Sequence, residues 1–192
     1  MAGSQLLYSE ILELVHKAKT KKEKVRILQH YNSDGLRMII KSSFDPKIKW
    51  VFPSGDVPYA KNDAPAGTEH TILSQQVKKL FRFIEGGDNQ TPQFKKEQMF
   101  IQMLEGLHES EAELLVNAKD KKLHQVYKGL STNVVQEAFD WDDNYMVIGN
   151  RYMTASRSAT GTVDEWDRHF KKRDYWFETS DNREGETDRK TH

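Results

Sequence analysis

The apolar residues of this chain recur at helical spacing in short blocks, and most blocks carry their own start or stop signal. That pattern limits the fold to short helices packed on one another, because each block can bury only one stripe. Leu6, Leu7, Ile11, Leu14 and Val15 form the first stripe. Thr20 followed by Glu23 has the form of a capping box and starts a second helix carrying Val25 and Leu28. A third follows Ser33-Asp34-Gly35 with Leu36, Ile39 and Ile40 inward, and Asp45-Pro46 ends it. The clearest periodicity runs over 71–85, where Leu73, Val77, Leu80, Phe81 and Ile84 share one helical face before Gly86-Gly87. Thr91-Pro92 opens the next helix, with Phe94, Phe100, Ile101, Leu104 and Leu107 as its stripe. Ser110 with Glu113 is a capping-box pattern for a short helix through Ala118. After a basic connector, Lys119 to Gly129, Ser131 or Thr132 caps a last helix with Val134, Val135, Ala138 and Phe139.

Between these blocks, Ile48 to Phe52 is β-prone and predicts one short strand. Pro53 to Gly67 holds three of the five prolines and predicts a long loop, of the kind that is usually functional or mobile. The expected fold is therefore mainly α, a helical bundle of about six to seven helices with at most one short strand or hairpin. The helical domain spans 1–149. Residues 150–192 are small, polar and charged, and predict an extended C-terminal tail. Its one amphipathic part holds Trp166, Phe170, Tyr175, Trp176 and Phe177, residue types that anchor interfaces, so these are the candidate partner-binding residues.

Composition excludes several chemistries. The chain has 192 residues and no cysteine, which removes disulfide scaffolds, thiolate zinc sites, iron–sulfur clusters and cysteine nucleophiles. No Walker loop, dinucleotide fingerprint or Gly-x-Ser-x-Gly is present. Asp140-Trp141-Asp142-Asp143-Asn144 begins like a calcium loop, but Tyr145 stands where the turn glycine belongs and Arg151 where the last glutamate belongs. His108-Glu109 has no second histidine at zincin spacing, and His16, His30, His70 and His124 fall on different elements. The expectation is a non-enzymatic protein with no catalytic residues, no metal, no cofactor and no small-molecule substrate. No secretory leader and no apolar run of about 20 residues is found, so neither secretion nor a membrane span is expected.

The chain carries 29 basic and 29 acidic residues, yet the charges are not evenly spread. Residues 1–50 carry 10 basic and 5 acidic groups, whereas residues 101–150 carry 4 and 9. Lys17, Lys19, Lys21, Lys22, Lys24 and Arg26 surround the first helix junction; Lys78, Lys79 and Arg82 lie on or beside one face of the 71–85 helix; Lys119, Lys121, Lys122 and Lys128 crowd the connector. Most charge runs at helix ends are solvated surface. Cations beside capped helix N-termini nevertheless suit phosphate, because ammonium groups supply charge while free N–H groups and the helix dipole supply direction.

Three stretches resemble the N-terminal helical DNA-binding domain of ATP-dependent DNA ligases. They are Leu36 to Trp50, the 71–84 helix, and Leu114-Leu115-Val116-Asn117-Ala118-Lys119-Asp120-Lys121-Lys122 with Tyr127-Lys128-Gly129-Leu130-Ser131-Thr132 through Phe139. The chain also resembles small proteins of large tailed phages that share the Lys-Asp-Lys-Lys and Tyr-Lys-Gly-Leu pattern. The resemblance implies a bundle that holds duplex DNA by its phosphates. It places Lys119, Lys121, Lys122, Lys128, Ser131 and Thr132 near the backbone, with Lys78, Lys79 and Arg82 as further DNA-binding candidates. Ligation and adenylation do not carry over. Ligases modify a lysine in Lys-x-Asp-Gly, and the Asp-Gly here reads Asn32-Ser33-Asp34-Gly35. In phage proteins of this kind a proline follows the last helix, whereas Asp140-Trp141 follows Phe139 here. Two functions stay open: a phage accessory protein contacting duplex DNA, or a virion or protein-interaction component whose tail docks on a phage or host assembly. The expected location is the host-cell cytoplasm, with packaging in the virion as the alternative.

Overall fold

The computed structural model describes residues 5–65 and 69–148. The fold is mainly helical. Eight α-helices follow one another among the described residues: α1 Tyr8–Lys17, α2 Lys21–His30, α3 Asp34–Phe44, α4 Leu73–Gln76, α5 Gln93–Gly106, α6 Glu109–Lys119, α7 Leu123–Val126 and α8 Thr132–Phe139. A 3-10 helix, Val77–Phe83, continues directly from α4. There is no sheet among these residues, only isolated antiparallel bridges pairing Trp50 with Ile84 and Trp141 with Val147. The expected C-terminal tail lies outside the described residues.

Helix α6 touches α1, α3, α5 and α7, while α2 packs on α1 and α8. Leu114, Leu115 and Ala118 of α6 are fully buried with Leu12, Leu28, Leu36, Ile39, Ile40, Leu104 and Val135 around them in one core. Several helix starts follow from local chemistry. Glu23 N–H donates to Thr20 Oγ1 at 3.2 Å and Thr20 N–H donates back to the Glu23 carboxylate at 3.3 Å. Ser33 Oγ accepts from Leu36 N–H, and Ser131 Oγ from Val134 N–H. Each satisfies an amide that the first helical turn leaves without an intrahelical partner.

Four local expectations are corrected. The 71–85 block is α-helical for four residues only, then winds as a 3-10 helix. Three residues per turn set Val77, Leu80 and Phe83 in one row. Leu80 and Phe83 are buried, whereas Phe81 is only half-buried. Ile84 leaves the helix in extended geometry to reach Trp50; Val51 N–H donates to the Phe83 carbonyl at 2.9 Å and Glu85 N–H to that of Lys49 at 2.8 Å. On α1, Leu14 faces solvent and Leu12 is buried in its place. On α5 the buried positions are Lys96, Phe100, Met103 and Leu104, so Phe94 falls about 200° from Lys96 on the helix and is 62% exposed. Lys96 holds the stripe position with its stem, and its ammonium hydrogen-bonds the Asp88 carbonyl. Finally, α6 is capped by His108, whose Nδ1 accepts from Ser110 N–H; Ser110 and Glu113 lie inside the helix and form no box.

The segment 48–52 forms no strand beyond its single bridge and is held by aromatic packing. Phe52 stacks on Phe100 at 4.7 Å between ring centroids, and Phe83 meets Phe100 edge-on at 5.2 Å. Trp50 Nε1 donates to the Ser42 carbonyl at 3.3 Å, which fastens this cluster to the end of α3.

Glu111 ties the two halves of the bundle. Its carboxylate accepts from Leu73 N–H at 2.7 Å and from Tyr8 N–H at 3.2 Å, so one buried acid satisfies an amide in the first turn of each of α1 and α4. Burial pushes its carboxyl above the ordinary glutamate range, against the two amides that pull it down. The raised folded value means that stability due to this group is fully present below the unfolded value and is lost as pH rises through the folded one. Glu111→Ala strands two buried amides and should cost on the order of 1–3 kcal/mol by urea unfolding. The stability of the native protein relative to Glu111→Gln should fall as pH is raised from about 4, near the glutamate model value. A pH-independent difference between these two proteins would refute the assignment.

Candidate nucleic-acid interface

The lysine-rich run Lys119-Asp120-Lys121-Lys122 sits where α6 ends. Two of its three lysines face inward. Lys119 has a side chain only 1% exposed; its Nζ donates to the carbonyls of Pro53 at 2.8 Å and Gly55 at 3.1 Å, and pairs with Asp120 at 2.5 Å. The Asp120 carboxylate in turn accepts from Gly55 N–H at 3.2 Å. Lys121 Nζ donates to the carbonyls of Ser42 at 3.0 Å, Asp45 at 2.7 Å and Ile48 at 2.5 Å. Burial depresses its pKa, with Asp45 opposing the shift.

Lys121 also has φ of 60°. That is the left-handed conformation that ends many helices and that glycine adopts at least cost. Its N–H reaches back to the Ala118 carbonyl, and Lys122 N–H to that of Asn117 at 2.8 Å. The three carbonyls on its ammonium offset the strain, and they include one from the last turn of α3, where a cation is favoured by the helix dipole. Of the connector lysines expected near a DNA backbone, Lys119 and Lys121 are thus engaged by carbonyls of the chain itself. Lys119 and Lys121 join the end of α6 to the 42–55 segment, and phosphate would have to displace those carbonyls. Leu123 and Tyr127 of the same stretch are buried, and burial pushes the Tyr127 phenol up to about 12, with Glu13 and then Glu113 adding to the shift.

The other candidates fall into separate places. Lys78 and Lys79 are exposed on the 3-10 helix, and the Arg82 guanidinium lies 5.7 Å from the Phe81 ring centroid. Lys122 is exposed at the start of α7. Lys128, Ser131 and Thr132 are exposed in the turn leading into α8, where Ser131 already serves as the cap. Trp166, Phe170, Tyr175, Trp176 and Phe177 lie outside the described residues.

The structure brings the 128–132 turn against the α1–α2 junction. Lys128 N–H donates to His16 Nδ1 at 3.0 Å. A Cβ on Gly129 would stand 2.4 Å from the Val15 carbonyl oxygen and 3.0 Å from Cε of Lys24, so only glycine permits this approach. Lys128 thereby joins the basic residues of the junction. Lys19, Lys22 and Arg26 are exposed there. Lys17 makes a long 3.6 Å contact to Glu13, and Lys21 pairs with Glu137 at 2.5 Å. Sequence patterning identifies the two basic clusters but not their meeting, because His16 and Gly129 are more than a hundred residues apart. The glycine in Tyr127-Lys128-Gly129-Leu130 is the one local sign of it.

Among the described residues no group of three His, Cys, Asp or Glu side chains is placed to hold a metal ion, and no helix is long and apolar enough to cross a membrane. Residues 11–125 fit the model of a family of unknown function, DUF6433. No curated protein and no solved structure matches.

The structural part assigned to Lys121 separates it from its neighbour. Lys121→Met keeps the stem and leaves three carbonyls without their ammonium, and should lower unfolding free energy by roughly 1–3 kcal/mol. Lys122→Met should change it by no more than about 0.5 kcal/mol. Equal effects in chemical denaturation would contradict the arrangement.

Proposed function

The chain belongs to the DUF6433 family of unknown function, and we propose that it is a non-catalytic accessory protein that contacts the phosphates of duplex DNA. The contacting groups in this reading are Lys17, Lys19, Lys22 and Lys128, with the start of α8 at Ser131 and Thr132. The observation that carries it is the hydrogen bond from the Lys128 backbone N–H to His16, which brings the 128–132 turn against the basic α1–α2 junction. Exposed ammonium groups next to a capped helix N-terminus supply both charge and directed N–H donors for a phosphate oxygen. Lys78, Lys79 and Arg82 form a second set for the same strand or its partner. The resemblance to the ligase N-terminal domain supports the duplex as the polyanion. A phage origin, with action in the host-cell cytoplasm or packaging in the virion, belongs to the same proposal.

A second reading makes the bundle a scaffold in a protein assembly. Phe94, 62% exposed on α5, is the observation that favours it, since a large ring left in water is a common anchor for a partner.

Fluorescence anisotropy with nicked duplex, intact duplex and single strand at two salt concentrations tests the first reading. Duplex binding should weaken steeply with salt, because each neutralised phosphate releases counterions. Replacing Lys17, Lys19 or Lys128 by Met should reduce the slope of log affinity against log salt by about 1 for each phosphate that is no longer neutralised. Absence of a duplex complex at low salt would falsify the DNA reading.

A further inference from the structure

The loop expected from the prolines at 53, 58 and 65 is not a free excursion. Its residues 53–61 lie as a strap along α5 and α6, and the two ends of that stretch are held by different physics. At its root, Pro53 and Gly55 are fastened by Lys119 and Asp120, whose side chains are 1% and 6% exposed. Farther along, the hold is on the surface. Ala60 N–H donates to Glu105 Oε1 at 3.0 Å, and Lys61 Nζ bridges Glu109 at 2.9 Å and Glu113 at 3.0 Å. Those three ionic side chains are 46–56% exposed. Val57 and Tyr59 are half-buried against the core, while Asp56, Pro58 and Ala60 between them face water. The strap thus binds as an extended segment does: alternate side chains inward, then a lysine on an acidic pair.

We propose that this edge of α5 and α6 is a docking surface for an extended peptide of a partner protein, which the strap occupies in its own chain. The strap itself states the chemistry of the occupant. An apolar residue, an aromatic two positions on and a lysine two further meet what Val57, Tyr59 and Lys61 meet now. Glu105, Glu109 and Glu113 supply the charge complement. Exposed ion pairs are readily exchanged and are screened by salt, whereas the buried Lys119 root is not. Release of residues 56–63, with 53–55 left in place, therefore costs chiefly the partial burial of Val57 and Tyr59. A competing peptide must overcome a strap tethered at high effective concentration, so its apparent affinity for the native chain is lowered by the fraction closed. The proposal is independent of DNA contact, which uses other residues.

The test uses the full chain and a labelled synthetic peptide of residues 54–63. In one variant, residues 56–63 are replaced by glycine and serine at equal length. That variant should bind the peptide at least about tenfold more tightly than the native chain, because its internal competitor is gone. Glu109→Lys with Glu113→Lys in the same background should reverse the gain, and so should a peptide carrying glutamate at the Lys61 position. If the replaced strap unfolds the protein, as circular dichroism will report, Lys61→Ala serves instead, since it alters only an exposed side chain; it too should bind more tightly than the native chain. A folded, strap-free chain that binds no peptide overturns the proposal. So does binding indifferent to the two charge reversals, or equal affinity of the native chain and Lys61→Ala.

Discussion

Three backbone carbonyls converge on the ammonium of Lys121, and much of the molecule hangs on that convergence. Ser42 belongs to the last turn of α3, where carbonyls lack intrahelical partners; Asp45 and Ile48 lie in the turn that follows. By holding all three, Lys121 determines how the chain leaves α3. That exit places Trp50 and Phe52 in the ring cluster with Phe83 and Phe100, and so places the 3-10 helix against α5. Lys119, two residues earlier at the end of α6, repeats the device for Pro53 and Gly55. A stretch of about ten residues with almost no regular structure is thereby ordered by two ammonium groups together with the ring cluster, and not by a ladder.

This reliance explains why charge alone misleads as a guide to the surface. A lysine can satisfy its three donors with phosphate, water or backbone carbonyls, and local sequence does not distinguish these cases. In Lys119-Asp120-Lys121-Lys122 the outcome depends on where the 42–55 segment passes, which is a tertiary fact. Elements whose signals are local are legible by contrast. The Thr20–Glu23 box, the Ser33 and Ser131 caps and the Asp45-Pro46 stop all specify boundaries through atoms within four residues of one another.

The misread elements fail for one kind of reason. The stripe Leu73, Val77, Leu80, Phe81 and Ile84 satisfies an α-helical template, but pairing of Ile84 with Trp50 draws the chain out and tightens the preceding turns. Lys96 holds a core position because its stem is apolar and Asp88 offers a carbonyl, and Phe94 is then displaced to solvent. His108 takes the cap that Ser110 and Glu113 suggest because its ring nitrogen reaches Ser110 N–H. In each, a distant or unusual partner outweighs the propensity of the residue type. The candidate DNA surface is legible only as two separate basic runs, since the contact that joins them is carried by a backbone amide and a histidine.

Helix α6 shows how these roles are kept apart. Its inward positions carry Glu111, which ties α1 to α4, and Lys119, which roots the strap. Its outward positions Glu109 and Glu113, one turn apart, hold the strap's Lys61 through exposed ion pairs. A charged group on the buried side cannot change partner without stranding a desolvated atom, so it fixes architecture. A charged group on the exposed side exchanges with water at little cost, so it can serve a contact that forms and breaks. The same division applies to the lysines. Those that turn inward build the bundle, and the cations around the α1–α2 junction remain the groups an external polyanion can meet. Local neutrality in the core and a cationic junction at the surface thus coexist in a chain whose formal charge is +0.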